Sequence, residues 1–234
     1  MQRQLKGIEV RKKELAPDDV VIVMDTTYFK RLFGVMVWRC PHRHKNLLWK
    51  FLPYETIDAY KRGIEQLEEQ GWRIRAIVCD GRRGLLQGFS VPVQMCQFHQ
   101  AMIVTRYVTR RPKLEAGQDV QSLMRHLPDV SEAQFTLWLE LWYDKWGTFL
   151  KERTVDEETK RWHYTHRRIR SAYYSIKRNV PHLFVYLDHP DLNIPNTTNS
   201  LEGIFTHIKK NMRLHGGLRT HHKLPMIEEF LRTE

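Results

Sequence analysis

Cysteine is scarce in this sequence: three residues, Cys40, Cys79 and Cys96, among 234. An odd, scattered set in a chain with no signal peptide does not build a disulfide framework and points to a reducing, intracellular setting. Long apolar runs are missing as well. The longest, Val20 to Met24, falls far short of the roughly 20 residues that cross a bilayer, so a soluble protein is expected. No internal repeat and no low-complexity tract occurs, which removes solenoids and collagen-like or disordered designs. Acidic residues are in deficit too. With 27 Asp and Glu against 38 Lys and Arg, the formal charge is +11, a balance that favours an anionic polymer, nucleic acid first, as partner.

What is present is ample material for a core. Apolar residues make up 41% of the chain and include seven Trp, enough for one domain with an inserted helical part. Residues 1–19, with Arg3, Lys6, Arg11, Lys12 and Lys13, read as a lead-in arm. Val20 to Met24 is a continuous β-branched run of the kind buried on both faces of a sheet, with Asp25 expected at its C-terminal end. Leu32 to Trp38 and Asn46 to Leu52 read as two antiparallel partners. The period changes over Thr56 to Gln70, where Ile57, Tyr60, Ile64 and Leu67 share a helical face, Thr56 caps and Gly71 terminates. Trp72 to Cys79 and Val91 to Met95 read as further strands, the first exiting at Asp80-Gly81, and a helix follows from Gln97 to about Thr109. The order β-β-β-α-β-α-β-α, then a helical tail, predicts an α/β fold with a mixed five-stranded sheet flanked by helices.

Strand signals vanish between about 113 and 190, which predicts an all-helical insertion dividing a core of residues 20–112 and 191–234. Ser131-Glu-Ala-Gln is a capping box, with Val130 and Phe135 as its hydrophobic staple. The stripe Phe135, Trp138, Leu139, Trp142, Trp146, Phe149 and Leu150 is read as core. A second helix is expected from about Glu157 to Arg178, stopped by Asn179-Val180-Pro181. A last helix spans Thr198 to Met212, capped from Asn196, Thr197, Thr198 or Asn199.

Asp25 and Asp80 each end an apolar strand, and Glu202 lies near the start of the late helix. Parallel strands that terminate in Asp bring two carboxylates together at the carboxyl edge of a sheet, where open α/β sheets place their sites. Their repulsion raises a pKa unless cations intervene. Hard oxygen donors suit Mg²⁺ or Mn²⁺, and two such ions roughly 3.5 to 4 Å apart serve in-line attack on a phosphodiester. Taken singly, each acid is also an ordinary turn or first-turn residue.

The series Val-Met-Asp25-Thr-Thr, Val-Cys-Asp80-Gly, Met-Cys96-Gln-Phe-His99-Gln and Asn199-Ser-Leu-Glu202-Gly resembles the catalytic signature of bacterial insertion-sequence transposases related to the Mutator-like elements. The resemblance implies a ribonuclease-H-like fold, an Asp-Asp-Glu triad of Asp25, Asp80 and Glu202 holding two Mg²⁺ or Mn²⁺ ions, Cys96 and His99 close to that site, and a helical insertion before the Glu. Relatives carry an N-terminal DNA-binding region, whereas about twenty residues precede the first strand here. The Cys96-x-x-His99 pair is also half of a zinc site, with Cys40, His42 and His44 as conceivable other ligands. Only one pair has good spacing, so His99 is read instead as a hydrogen-bond donor to a phosphate or an acid, and structural zinc at Cys96 and His99 is disfavoured.

Lys160 to Arg178 holds seven cations and no acid, interleaved with aromatics, and nominates Arg167, Arg168 and Arg170 as DNA contacts. Its plain reading is a solvated helix face. Gly203 to Lys223 holds five more and nominates Lys209, Lys210, Arg213 and Arg219. Arg82, Arg83 and Asn199 complete the set, Arg82 and Arg83 being equally at home as loop charges. The expectation is a DNA transposase catalytic domain acting on transposon ends and target, a homodimer or larger when synapsed, in the bacterial cytoplasm and nucleoid-associated. The alternatives are a ribonuclease-H-like nuclease that cuts without joining, and a truncated or domesticated DNA-binding protein without turnover.

Overall fold

A computed structural model describes residues 16–30, 32–215 and 217–234. Residues 1–15, most of the expected arm, lie outside the described residues. Five strands form one mixed sheet: β1 (Asp19–Phe29), β2 (Phe33–Cys40), β3 (Lys45–Leu52), β4 (Arg73–Cys79) and β5 (Val93–Met95), in the order β3-β2-β1-β4-β5. β2 runs antiparallel to β1 and β3, while β4 is parallel to β1 and to β5. The α/β expectation and the first eight elements hold. Between these strands stand α1 (Ile57–Glu69) and α2 (Arg83–Leu86), and α3 (Gln97–Val108) follows them.

α1 illustrates how local signals set an element. The Thr56 side chain accepts from the Ala59 N–H at 3.1 Å, capping the start. Gly71, at φ 93°, closes the end: its N–H reaches the Glu68 carbonyl at 2.8 Å and the Trp72 N–H reaches Leu67 at 3.1 Å. That is the six-to-one closure which a residue with positive φ permits.

β1 does not end at Asp25. It runs on to Phe29 along β2, with Asp25 opposite Val37, because Thr26, Thr27, Tyr28 and Phe29 are good strand formers. Only its parallel ladder with β4 stops earlier, at Val23 opposite Val78.

Alternation along β1 divides the core in two. Val20, Ile22 and Met24 join a buried cluster with Tyr60, Ile64 and Leu67 of α1 and Val104 and Val108 of α3. Val21 and Val23 face the other side, under α8 (Asn199–Leu214) and α9 (Thr220–Thr233) through Leu201, Ile204, Phe205, Ile208, Ile227 and Leu231.

The segment 113–190 contains α4 (Glu115–His126), α5 (Glu132–Lys151), α6 (Arg167–Leu183) and α7 (Val185–Asp188). It is not all-helical. A two-stranded hairpin, β6 (Arg153–Val155) with β7 (Trp162–Tyr164), replaces the helix expected from Glu157. The Asp156 carboxylate accepts from the N–H groups of Glu158 and Thr159 at 3.1 and 2.7 Å, and Lys160 adopts φ 55°; this turn chemistry outcompetes the helix. α6 begins ten residues later and carries Pro181 inside its last turn, running to Leu183 instead of stopping at Asn179. Ser131 caps α5 as expected, its hydroxyl accepting from the Gln134 N–H at 3.3 Å. Of the aromatic stripe, Phe135, Leu139, Trp142 and Leu150 are buried and Trp138, Trp146 and Phe149 half-buried against them.

The inserted helices share the core cluster of the sheet, and buried amides fasten them to it. Gln94 and Gln97 each donate to the Leu183 carbonyl at 2.9 Å. Asn179 donates to the Gln100 carbonyl oxygen at 2.7 Å, and Gln100 donates in turn to the Ser175 hydroxyl at 3.3 Å. All are buried, so each lost partner leaves a desolvated group unpaired. Asn179→Ala is expected to lower unfolding free energy by about 1–3 kcal/mol in urea titration; an unchanged midpoint would show that the ladder is not holding α6 to α3.

Candidate active site

Strands that run in the direction of β1 all exit at one edge of the sheet. Continuing the β1–β4 register by two residues sets Asp25 opposite Asp80 there. Gly81 follows, and a Cβ there would come within 2.3 Å of the methyl of Met95, which would have to shift. β3, antiparallel to β2 and therefore codirectional with β1, exits at the same edge, and its exit delivers Glu55.

Glu55 was not anticipated, yet it is the best-held acid of the group. Its carboxylate is nearly buried, at 8% exposure, accepts from the Tyr60 hydroxyl at 2.7 Å and pairs with Arg82. Since that hydroxyl spends its one proton on Glu55, Thr26 must donate its own to Tyr60, at 2.8 Å. Arg82 also donates to Asp80, side chain and backbone N–H both at 3.1 Å. The Arg82 guanidinium, expected on DNA, is thus committed to two carboxylates.

Burial, then the nearby Asp80 and Glu55 charges, pushes Asp25 up to about 6, against the pull of His99 and of the Thr26 N–H. Burial likewise raises Glu55. His99 answers these charges. Burial opposes its protonation, but the Cys96 thiol, Asp25 and Asp80 prevail and hold it at about 9. Burial also opposes a charged Cys96, yet His99 and Thr198 draw its thiol below the ordinary value. His99 Nδ1 is fully buried, and the imidazole is held by the Cys96 thiol while it faces Asp25 and Asp80.

Glu202 lies in the first turn of α8, half-buried. Alternation assigns Asp25 to the sheet face that α8 covers, with Leu201 buried there. No side-chain cap starts this helix, contrary to expectation. Instead Thr198 donates its N–H and hydroxyl to Cys96 Sγ at 3.3 and 3.4 Å, and Asn196 donates to Gln97 at 3.0 Å. Those bonds fix the start of the Glu202 helix to the start of the His99 helix. Asp25, Asp80 and His99 are thereby brought together with Glu55, and Glu202 makes no hydrogen bond or ion pair with them. Among the described residues no three His, Cys, Asp or Glu side chains converge tightly enough to hold one metal ion as they stand.

The donor set nonetheless fits hard dications: oxygen ligands, mutually repelling, with Arg82 and His99 as the cations that interact with them. Cys40, at the end of β2, lies three strand spacings from the exit of β5, about 14 Å, and so cannot share a zinc ion with Cys96. His42 is engaged with the Asn193 carbonyl at 2.9 Å.

The remaining nominated residues sit on the surface. Arg83, Arg167, Arg168, Asn199, Lys209, Lys210, Arg213 and Arg219 are exposed, and Arg170 is half-buried. Arg168 donates to the Arg106 carbonyl at 2.7 Å and Arg83 to Gln87 at 3.3 Å. Among the described residues no helix is long and apolar enough to cross a membrane. No family model matches the chain, and no curated protein matches it.

Because Asp25 titrates higher folded than the 3.8 of a free aspartate, its ionisation costs stability. The cost is absent below about pH 4, grows to pH 6 and is complete above, at most about 3 kcal/mol. Asp25→Asn is therefore expected to melt higher than the parent above pH 6, without divalent cations, and to lose that advantage by pH 4; calorimetry showing a pH-independent difference would refute it.

Proposed function

We propose that the chain is the catalytic core of a DNA transposase, ribonuclease-H-like in fold, which hydrolyses a phosphodiester and then transfers the freed strand. The observation that carries this reading is the parallel register of β1 and β4, which, continued by two residues, pairs Asp25 with Asp80 at the edge where both charges act on His99. The strand order β3-β2-β1-β4-β5 with β2 reversed is compatible with it, as is the net charge of +11.

Asp25, Asp80 and Glu202 would hold two Mg²⁺ or Mn²⁺ ions, which when bound supply activation of the attacking oxygen and neutralisation of the leaving one. Asp25 is ionised above about pH 6, the state that binds cations. Arg82, which pairs with both Asp80 and Glu55, would have to yield Asp80 for that carboxylate to serve as a metal ligand. Protonated His99 donates to a non-bridging phosphate oxygen, offsetting charge that builds as the attack proceeds. In hydrolysis a water oxygen adds to phosphorus while the P–O3′ bond breaks, leaving a 3′-hydroxyl and a 5′-phosphate. In transfer that hydroxyl adds to a target phosphorus while the target's own P–O3′ bond breaks. Lys209, Lys210, Arg213 and Arg219, on the helices covering the Asp25 face, contact flanking phosphates. Two copies synapse the two ends, in a nucleoid-associated setting.

Labelled duplex DNA incubated with the purified chain in Mg²⁺ or Mn²⁺ tests the reading. Asp25→Asn, Asp80→Asn and Glu202→Gln are each expected to reduce cleavage at least about a hundredfold, with joined products from the parent. Cleavage without joining would favour a nuclease; DNA binding without cleavage by the parent would contradict an enzyme.

A further inference from the structure

A cavity of about 290 Å³ opens where the end of α3, the hairpin strand β7 and the first turns of α6 meet, lined among others by Tyr107, Tyr164, Arg167, Arg170, Tyr174 and Arg178. We propose that it holds one unpaired nucleotide of a DNA strand, its base on the tyrosine rings and its phosphate against the arginines; this rests on the DNA reading above and extends it to a second site.

Three features make the pocket suit that ligand. Its cations are uncompensated: Arg167, Arg170 and Arg178 have no carboxylate within 4 Å among the described residues. No acid lines it, and none lies in the first turn of α6, whose positive end adds to the attraction for an anion. Its aromatic rings are also within reach. Tyr107 and Tyr174 stay 37% and 38% exposed, and a flat group already stacks on two of the rings: the Arg170 guanidinium lies 4.0 Å from the Tyr164 ring centre and 4.7 Å from that of Tyr174. A base takes that place once the Arg170 side chain swings toward the phosphate, a side-chain movement that needs no change of backbone. Finally, the volume lies at the low end of ligand clefts, about 300–1,000 Å³, which suits a single nucleotide and excludes a duplex.

The place along the chain fits too. Tyr107 follows His99 by eight residues on α3, about 12 Å along the helix axis. With a rise of about 3.4 Å per nucleotide along a stacked strand, a strand running from the carboxylate edge beside α3 reaches the pocket within three or four nucleotides, and within fewer where it is unstacked. The pocket thus grips a strand beyond the reacting bond only where pairing has been lost.

Fluorescence anisotropy with labelled oligo-dT and with a mixed-sequence duplex of equal length tests this on the full chain. Tyr107→Ala and Tyr174→Ala, on different helices and both partly exposed, are each expected to weaken oligo-dT binding about tenfold while moving duplex binding less than about twofold. Tyr174→Phe, which keeps the ring, restores oligo-dT affinity. Equal losses on both probes, or unchanged oligo-dT binding by both Ala variants, would overturn the pocket. Displacement of oligo-dT by equimolar dTMP would also overturn it, in favour of a free-nucleotide site. If the parent binds neither probe, the DNA reading itself falls; if it binds and cleaves duplex while the Ala variants hold oligo-dT normally, only the pocket falls.

Discussion

Burial of mutually repelling carboxylates at one edge of the sheet governs the arrangement around it. Asp25, Asp80 and Glu55 are delivered there by three strands running the same way, and Asp25 and Glu55 are charged at the cost of burial and of their neighbours. The fold tolerates the concentration through Arg82, which spans Asp80 and Glu55, and through a histidine kept protonated by the charges it faces. Such a cluster costs stability that a pair of amides would not. Its retention makes sense if the acids serve a cation or a phosphate instead of the fold.

The rest of the molecule secures the geometry of that edge. α3 carries His99, α8 carries Glu202, and the bonds from Thr198 to Cys96 join the starts of the two helices. Cys96 is thus used as a buried acceptor between elements more than a hundred residues apart. Behind α3, the amides of Gln94, Gln97, Gln100 and Asn179 couple the inserted helices to the same strand-helix unit. The insertion is accordingly part of one core with the sheet.

Much of this was legible in the sequence, and the failures have identifiable causes. Strand periodicity located all five sheet strands and the exit that bears Asp80, since buried β-branched runs such as Val20 to Met24 admit few other readings, but it ended β1 at Asp25, four residues short of Phe29. Short strands in a polar context escaped: β6 and β7 have three residues each, and their turn is made by the Asp156 side chain, while the basic composition of 160–178 mimics a helix. Glu55 escaped because it follows a strand by three residues and belongs to no apolar pattern. Its signal was topological: with β2 reversed between them, the exits of β1 and β3 must share an edge. The end of α6 was misjudged because a proline in a last turn removes one bond, a loss that packing of Val180 and Leu183 outweighs.

The most direct test of the account is calorimetric titration of Mn²⁺ into the parent chain and into Asp25→Asn combined with Asp80→Asn, above pH 7. If the two strand-end carboxylates form a dication site, the parent binds Mn²⁺ with release of heat and the double variant, still folded by circular dichroism, binds at least about tenfold more weakly. Equal binding by both, or none by the parent with or without DNA present, would contradict a metal-dependent role for Asp25 and Asp80.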